Sequence, residues 1–538
     1  MLDIPKNCEP DTSSVPVNTH SFTFLETTPA EVYKVLSTLK KNKASGCDNI
    51  PAVLLKFCAA GIANSLTCLF NRSFELSQFP SAWKEALVVP VFKKGSRTDP
   101  GNYRPIALLP IVSKVLERVV HHKLTSFLQP WLHERQSGFK KGDGTVPQLL
   151  RLCQEWSKLI DSTTYVGALF FDLKKAFDRV WHPGLLAKLE AAGIRGSALA
   201  WIKSFLTARR HTTIIDGCTS LFEEIEAGVP QGAILSPLLF SVYVNDLPSA
   251  APGCDVNLFA DDTSAYVSSP SPTQLNKDLQ TAANSLSAWF DRWHLTIHPG
   301  KTVSMALRST KMMPCRLSIK IGDSPICQVN EHRHLGVMFS ETLSWKSHIH
   351  TVVNKAAQKF GLLRRLGRRL SSTVLQDLYV TCIRPSLEYA SIVWSGLRSN
   401  DASRLERCNR SAARLISRTS PSSDIPHQLL LSRAGLPELR TRRRIAQCLF
   451  IRKAFRRRHP QHLQRSLLSW LPTGKQRKSP RTSQFYVRTQ RPRKSIFQRS
   501  PVFHAVSTWN SFIASQSHAA GTSLPTPKNI LNFHLTSG

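Results

Sequence analysis

Two acidic positions constrain this chain most strongly, because each places carboxylates directly at the end of an apolar strand. The run YVGALFFDL (165–173) predicts a buried strand that closes on Asp172. The run VNLFADDTSAYV (256–267) predicts two short strands joined by a tight turn at Asp261 and Asp262. A carboxylate beside a low-dielectric core is costly unless a cation or hydrogen bonds offset its charge. The Asp-Asp doublet adds like-charge repulsion, so the fold must supply compensation at both positions.

Bound Mg²⁺ would remove both costs, because it takes hard oxygen ligands and leaves coordination positions for substrate phosphates. Two such ions about 4 Å apart support in-line phosphoryl transfer. One ion lowers the pKa of an attacking 3′-hydroxyl, and the other stabilises the leaving pyrophosphate. An isolated Asp-Asp pair more often forms a plain hairpin turn, since aspartate favours turns. The segments around the pair decide between the two interpretations.

The charge balance predicts an acidic polymer as partner. The formal net charge is +35 and the sequence pI is about 10.1, which favours nucleic acid over a merely solvated basic surface. The excess is concentrated late in the chain, where residues 351–538 contain 34 Lys+Arg against 6 Asp+Glu.

Cysteine usage and hydropathy limit the compartment. The twelve cysteines include no CxxC pair, so no zinc knuckle is predicted and free thiols in a reducing compartment fit better. No apolar run reaches the roughly 18 residues of a membrane span, and the N-terminus does not resemble a signal peptide. We therefore expect a soluble intracellular protein of the nucleus or cytoplasm that is not secreted and has no membrane partner.

Further elements follow from periodicity and capping. A helix is predicted from Thr28, a strand over Ala86–Phe92 and a long amphipathic helix over Val112–Leu128. A helix is expected to follow the strand of Asp172 and to run through Leu189, and another buried helix is expected over 234–247. The Pro-, Ser- and Arg-rich stretch 472–499 is predicted to be disordered.

Seven segments in sequence resemble reverse transcriptases of retrotransposons without long terminal repeats, similar to the jockey and chicken-repeat elements. Three of them carry the chemistry: FFDLKKAFDRV (170–180), GVPQGAILSPLLFSVYVNDLP (228–248) and LFADDT (258–263). Four more agree in order and spacing: KASGCDNIP (43–51), VPVFKKG…GNYRPIALLP (89–110), LTIHPGKT (295–302) and HLGVMF (334–339). The resemblance covers about residues 28–394.

The resemblance implies an α+β right-hand polymerase with fingers, an antiparallel palm sheet and a thumb. Its expected parts are a flexible leader (1–27), fingers and palm (28–340), a helical thumb-like region (341–420) and a basic, partly disordered C-terminal region (421–538). The implied activity is RNA-directed DNA synthesis, in which a primer 3′-hydroxyl attacks a dNTP on an RNA template. The primer would be DNA or nicked target DNA.

The resemblance also assigns the metal site and the catalytic residues. Asp172, Asp261 and Asp262 would hold two Mg²⁺ ions, for which Mn²⁺ is a substitute, and the backbone carbonyl of Leu173 would complete one metal shell. Lys301 would protonate the leaving pyrophosphate, although a surface lysine is an equal interpretation of that position.

The nucleotide would be held by residues of three further segments. Phe177 would be an aromatic gate that clashes with a ribose 2′-hydroxyl, or else a residue of a helix core. Gln231 would contact the nucleotide or template, and Gly232 would let the backbone approach closely. Arg104 and one of Lys93 or Lys94 would hold the triphosphate, unless they form only a solvated basic turn.

Two departures from the family and two competing functions remain at this stage. There is no room before residue 28 for the endonuclease that such elements carry, so we expect one to be lacking, and no Cys/His knuckle is found. The basic C-terminal third equally supports a retroelement-derived RNA-binding protein that is catalytically inactive or co-opted. A maturase or an RNA-synthesising polymerase shares the palm, but the Phe177 position argues against RNA synthesis.

Overall fold

The computed structural model describes residues 9–140, 142–162, 164–367, 369–420, 422–456, 487, 495–515 and 525–536. Its α-helices are α1 (Pro29–Ser37), α2 (Ala52–Phe57), α3 (Ala59–Glu75), α4 (Ile111–Leu128), α5 (Thr145–Asp161), α6 (His182–Ala191), α7 (Gly196–Leu206), α8 (Ser236–Tyr243), α9 (Pro272–Arg292), α10 (Lys346–Leu366), α11 (Ser372–Leu378), α12 (Arg384–Glu388), α13 (Ser399–Ile416), α14 (His427–Arg433), α15 (Leu439–Phe455), α16 (Ser495–Gln498), α17 (Pro501–Ser515) and α18 (Pro527–Thr536).

The strands are short after the first half of the chain. They are β1 (Glu85–Phe92), β2 (Tyr103–Leu108), β3 (Tyr165–Phe171), β4 (Arg209–Ile215), β5 (Cys218–Thr219), β6 (Glu223–Ile225), β7 (Asp255–Phe259), β8 (Asp262–Ser269), β9 (Val303–Leu307), β10 (Lys320–Ile321), β11 (Ser324–Pro325), β12 (Cys327–Gln328), β13 (Glu331–His334) and β14 (Val337–Ser340). The chain is therefore α+β, as expected.

Most of the predicted elements are present, with two differences. Helix α1 starts after Thr28, which forms a capping box with Glu31, and the predicted strand and amphipathic helix appear as β1 and α4. The helix expected after β3 is instead a 3₁₀ turn over Ala176–Arg179, and α6 begins only at His182. The helix expected over 234–247 is shorter in the structure, where α8 covers only Ser236–Tyr243.

The central sheet carries the predicted carboxylates and separates two apolar cores. Its strand order is β12-β9-β3-β8-β7, and its pairings are antiparallel except for β12 with β9, so the expected antiparallel sheet has one parallel edge. Successive side chains of β3 point to opposite faces. Leu169 and Phe171 join a core made with the N-terminal helices. Ala168 and Phe170 join a second core made with α10 to α18.

A second sheet lies beside the first and carries the basic turn of the sequence. Its path is β2-β1-β4-β5, and β6 also pairs with β4. The antiparallel β1–β2 pair places Val91 opposite Arg104 and Phe92 opposite Tyr103. The residues between these strands, which include Lys93 and Lys94, therefore form the tip of a hairpin.

The described part of the expected leader, residues 9–27, is attached to the fold at a few positions, while most of its side chains are exposed. Phe22 is buried and pairs with Ile194 in an isolated parallel bridge. The amide of Asn18 donates to the carbonyl of Ala191 at 2.7 Å. This segment is thus held against the end of α6 and the short loop that joins α6 to α7.

The C-terminal helices belong to the second core. Trp509 of α17 is fully buried, and the amide of Val502 donates to Gln154 of α5 at 3.3 Å. Most of the stretch 472–499, which was predicted to be disordered, lies outside the described residues. Among the described helices, none is long and apolar enough to cross a membrane.

A buried ion pair joins α6 to the segment after α8. Lys188 and Asp246 are both almost completely buried and form a salt bridge. The Lys188 ammonium also donates to the carbonyl of Tyr243 at 2.7 Å and lies 3.5 Å from the ring centre of Trp293. Trp289 donates to the second carboxylate oxygen of Asp246 at 2.8 Å. The pair is fully hydrogen-bonded, as a buried charge pair must be.

The segment HLGVMF forms the β13–β14 hairpin, with the turn at Leu335 and Gly336. His334 is 4% exposed and packs against Phe170 of β3, with ring centres 5.2 Å apart. Burial lowers the pKa of His334 to about 3, and the neighbouring His332 adds to this effect. His334 is therefore a neutral core residue at physiological pH.

Candidate active site

The register of the central sheet brings the three predicted aspartates to one end. Strand β3 ends with Phe171 opposite Thr263 of β8, so Asp172, the next residue, lies at the same end of the sheet as Asp262, the first residue of β8. The β7–β8 hairpin pairs Phe259 with Asp262, which leaves Ala260 and Asp261 in the turn. Ala260 has a positive φ of 57°, as a two-residue hairpin turn requires.

Burial, with repulsion within this group as a smaller cause, raises the pKa of two members. Burial against the surrounding protein, followed by the charges of Asp261 and Asp172, raises the pKa of Asp262 to about 6. Burial also raises the pKa of Asp261, and Asp172 adds to this, whereas Arg104 and Lys93 oppose it. Both side chains still reach solvent, so screening reduces the size of these effects. The three carboxylates therefore act on one another electrostatically.

The backbone around Leu173 leaves its carbonyl directed away from the neighbouring loop. Leu173 forms an isolated antiparallel bridge with Ile297. The hydrogen bonds of this bridge are made by its neighbours: His298 donates to the carbonyl of Asp172, and Lys174 donates to Thr296, both at 2.8 Å. In an antiparallel pair of this kind the central residue turns its own carbonyl to the opposite side. The predicted role of Leu173 is compatible with this orientation.

Lys301 lies next to Asp172. Its ammonium is 4.0 Å from a carboxylate oxygen of Asp172, and both side chains are about half exposed. The loop that carries Lys301 is fixed on β3, because the amide of Asp172 donates to the hydroxyl of the buried Thr302 at 3.2 Å. The loop thus supplies a cation at the edge of the carboxylate group.

The donor chemistry of the site fits divalent cations. Across the described ranges, no three His, Cys, Asp or Glu side chains are already gathered into a metal-holding group. The oxygen donors available at the sheet end are nevertheless three carboxylates and the carbonyl of Leu173. Hard oxygen donors are the ligands that Mg²⁺ and Mn²⁺ prefer. The pKa of Asp262 is raised by burial and then by repulsion from Asp261 and Asp172, and a bound cation would offset both costs.

Phe177 lies in the 3₁₀ turn and forms part of an aromatic group. Its ring stacks on Phe240 of α8, with centres 4.4 Å apart and planes 14° apart. The ring of Phe139 meets it edge-on at 6.4 Å. Because Phe177 is only partly buried, part of a ring held in one orientation by its neighbours remains exposed to solvent.

The Pro-Gln-Gly turn is fixed by close backbone approaches. The carbonyl of Gln231 accepts from the amide of Ala107 in β2 at 2.9 Å. Gly232 has φ +148°, and a Cβ atom there would lie 2.2 Å from the carbonyl oxygen of Ala107. Gly228 has φ +89°, and a Cβ atom there would lie 2.7 Å from the carbonyl oxygen of Asp178. The predicted need for close backbone approach at Gly232 is therefore present in the geometry.

Asp178 is a site residue that the sequence reasoning did not single out. Its carboxylate accepts from the side-chain amide of Gln231 at 2.8 Å. Burial raises the pKa of Asp178, whereas this bond, Lys175 and Lys93 lower it. The available signal was its position in FFDLKKAFDRV, six residues after Asp172. No local rule predicts which distant amide that carboxylate would meet.

The hairpin tip brings two of the three predicted phosphate-binding cations near the carboxylates. The charges of Arg104 and Lys93 both act on Asp261, and Lys93 also acts on Asp178. Lys94 is exposed, and no described contact relates it to the aspartates. Both lysines are exposed, and only the charge of Lys93 acts on Asp261 and Asp178, which favours Lys93 as the partner of Arg104.

Comparison with known proteins agrees with these motifs. Residues 91–339 match the family model described as reverse transcriptase (RNA-dependent DNA polymerase). A probable RNA-directed DNA polymerase from transposon X-element of Drosophila melanogaster is 30% identical over 403 residues, which are 72% of this chain and 44% of that protein. A probable RNA-directed DNA polymerase from transposon BS of the same fly is 29% identical over 399 residues, again 72% and 44%.

The polymerase from the mobile element jockey of Drosophila funebris gives a third match. It is 29% identical over 377 residues, which are 68% of this chain and 41% of that protein. The chain thus spans less than half the length of these relatives.

Proposed function

Since residues 91–339 belong to the reverse transcriptase family, we propose that this chain is the polymerase part of a non-LTR retrotransposon protein and extends a primer 3′-hydroxyl with dNTPs on an RNA template. One observation carries the proposal: Asp172, Asp261 and Asp262 share one end of the central sheet. The exposed cations Lys93 and Arg104 lie near them. Carboxylates for metal and cations for triphosphate are the two requirements of phosphoryl transfer.

Asp172, Asp261, Asp262 and the carbonyl of Leu173 would hold two Mg²⁺ ions, or Mn²⁺ in their place. When bound, the ions supply activation of the 3′-hydroxyl and neutralisation of charge on the phosphates. Arg104 holds the triphosphate through its planar fork, and Lys93 adds a point charge. Lys301, beside Asp172, is placed to give a proton to the leaving pyrophosphate oxygen.

Phe177 and Gln231 would set the position of the nucleotide. The stack on Phe240 holds the Phe177 ring in one orientation, so a ribose 2′-hydroxyl against it would clash while a deoxyribose would fit. The amide nitrogen of Gln231 is engaged by Asp178, which leaves the opposite, carbonyl side of the amide for the nucleotide or the template base.

A basic groove borders the Pro-Gln-Gly turn and suits the RNA template. It has a volume of about 860 Å³, and Gly232 and Ile234 are among its lining residues. Its walls come from α1, the loop after it, and α4, and they carry one acid, Glu31, against six cations: Lys34, Lys40, Lys43, Lys114, Arg118 and Lys123. Contacts to phosphates give affinity that does not depend on base sequence.

The division of the chain follows from the same proposal. Residues 28–340 form fingers and palm, 341–420 the thumb, and 421–538 a basic region that adds affinity for RNA. Exposed arginines of α10 and of the segment after it, Arg364, Arg365 and Arg369, track the phosphate backbone, and Arg368 between them lies outside the described residues. Because the proposed substrates are RNA and dNTPs, we propose that the protein acts inside the cell, in the nucleus or the cytoplasm.

Primer extension tests the proposal. The purified chain is given a primed RNA template, dNTPs and Mg²⁺, and incorporation is expected. Asp261→Ala should abolish incorporation while salt-dependent RNA binding is kept. The matched control is Asp323→Ala, which removes an exposed aspartate from the β10–β11 turn and should leave both properties unchanged.

Two results would contradict the proposal. The first is that the unmodified chain, although folded and able to bind RNA, incorporates no dNTP with either Mg²⁺ or Mn²⁺. The second is that Asp261→Ala is as active as Asp323→Ala. The first result would favour an RNA-binding protein without catalysis.

A further inference from the structure

We propose that Glu117, a carboxylate inside α4, is a positioning residue that holds the Pro-Gln-Gly turn, and through it Gln231, in place for the incoming nucleotide. The inference rests on the proposed polymerase function. Glu117 does not touch the substrate site itself, and its effect is transmitted by the backbone of the turn.

The contacts of Glu117 join two distant segments. Its side chain is fully buried. One carboxylate oxygen accepts from the amides of Ile234 and Leu235, at 2.6 and 3.2 Å. The other accepts from the hydroxyl of Ser113, one turn earlier in α4, at 3.0 Å. Leu235 is the N-cap residue of α8, so the carboxylate from α4 holds the two backbone amides that lead into this helix.

The turn is held from two sides, and Glu117 supplies one of them. On one side the carbonyl of Gln231 accepts from Ala107, and Gly232 lies against the same residue. On the other side Glu117 holds the amides directly after the turn. Without it, two N–H groups directly after the turn would lose their acceptor. The turn would then depend on Ala107, on the bond from Gln231 to Asp178 and on the bond from Ser236 to the carbonyl of Pro230.

A carboxylate suits this position because a buried cation compensates it. Arg209 is 2% exposed, and its charge acts on Glu117. Burial raises the pKa of Glu117, whereas Arg209 and the bonds from the two amides lower it. Charged acceptors form stronger hydrogen bonds than neutral ones, so the ionised form grips the start of α8 more firmly.

The two oxygens of Glu117 allow a matched pair of variants. Glu117→Leu removes the acceptor for the turn with little change of volume. Ser113→Ala removes the hydrogen bond to the other oxygen. This bond joins two residues of α4 and does not involve the turn. Both lower stability, but only the first releases the turn. Glu117→Asp, which draws the carboxylate back by one methylene, gives the same comparison if the leucine variant does not fold.

The experiment measures two properties of the full chain below the melting temperature of every variant. The first is amide hydrogen exchange of residues 231–236, and the second is KM for dNTP together with kcat in primer extension. For Glu117→Leu we expect exchange and KM to rise at least about tenfold while kcat changes less than about threefold. Glu117→Asp should show the same pattern more weakly, and Ser113→Ala should change neither property.

The inference is overturned if Glu117→Leu and Glu117→Asp leave KM unchanged, or if Ser113→Ala raises KM as much as they do. If the unmodified chain incorporates no dNTP, the proposed function fails separately. Hydrogen exchange alone then decides whether Glu117 holds the turn: faster exchange in both Glu117 variants than in Ser113→Ala supports it, and equal exchange refutes it.

Discussion

Replacing Gly232 by alanine adds one methyl group at the point where the Pro-Gln-Gly turn touches β2. The added Cβ would lie 2.2 Å from the carbonyl oxygen of Ala107. This oxygen belongs to a strand paired with β1, where Ala107 lies opposite Val88, so neither partner is a flexible side chain that can rotate away. Backbone atoms in a packed interior yield little.

The size of the effect follows from that distance. A carbon and a carbonyl oxygen approach to no less than about 3.3 Å, so the turn must retreat by about 1 Å. A displacement of about 1 Å at a positioning group costs about 100-fold in rate. The positive φ of +148° adds about 1 to 3 kcal/mol of backbone strain. We therefore expect kcat/KM of Gly232→Ala to fall about 100-fold, with a lower melting temperature.

The assay compares two glycine variants in single-nucleotide primer extension. Gly217→Ala introduces alanine at φ +85°, with no atom within 4 Å of the new Cβ, so it carries the backbone strain without the collision. We expect Gly217→Ala to retain kcat/KM within about threefold at temperatures where it is folded. Equal activity of the two variants would refute the role assigned to close approach at Gly232.

Three further outcomes are expected. Lys188→Met leaves the buried Asp246 without its partner and should lower the free energy of unfolding by about 3 to 5 kcal/mol in urea titrations, whereas adding Asp246→Leu should recover most of it; additive losses would contradict this. Because the pKa of His334 is lowered to about 3, the unfolded chain takes up the proton below about pH 6.5, so stability is lost as the pH falls from there. His334→Phe should reduce the loss between pH 6.5 and 5 by about 2 kcal/mol, and an unchanged pH profile would argue against it. Phe177→Val should admit rNTPs in primer extension, and an unchanged preference for dNTPs would count against the gate.

The carboxylate end of the central sheet was predictable because its signals are local. Apolar runs of strand length that stop at aspartate identify β3 and the β7–β8 hairpin, and period-2 alternation fixes which residues face which core. The 3₁₀ turn at Phe177 was not predictable from periodicity, because an apolar residue beside Ala176 also fits a helix. The turn's geometry depends instead on the bonds that Phe177 and Val180 make to residues 228 and 229.

Long-range polar contacts were beyond prediction for the same reason. Glu117 lies 117 residues from Ile234, and a glutamate in an amphipathic helix is normally read as a surface residue. Asp178 and Gln231 are 53 residues apart. Such pairings produce no periodic pattern in a single sequence, although each of these residues lies in or near one of the motifs quoted above.

Charge counting predicts nucleic-acid binding, but it overstates the charge available for it. Arg442, one of the cations counted in residues 351–538, forms a bidentate pair with Glu388, and Arg443 is 7% exposed with Glu406 and Glu388 nearby. A neutralised or buried guanidinium releases few counterions when RNA binds. The salt dependence of RNA binding should therefore respond to substitutions in the groove beside α4 and at Arg364 and Arg365, and hardly at all to Arg442→Gln, which would instead act on the packing of α15 against α12.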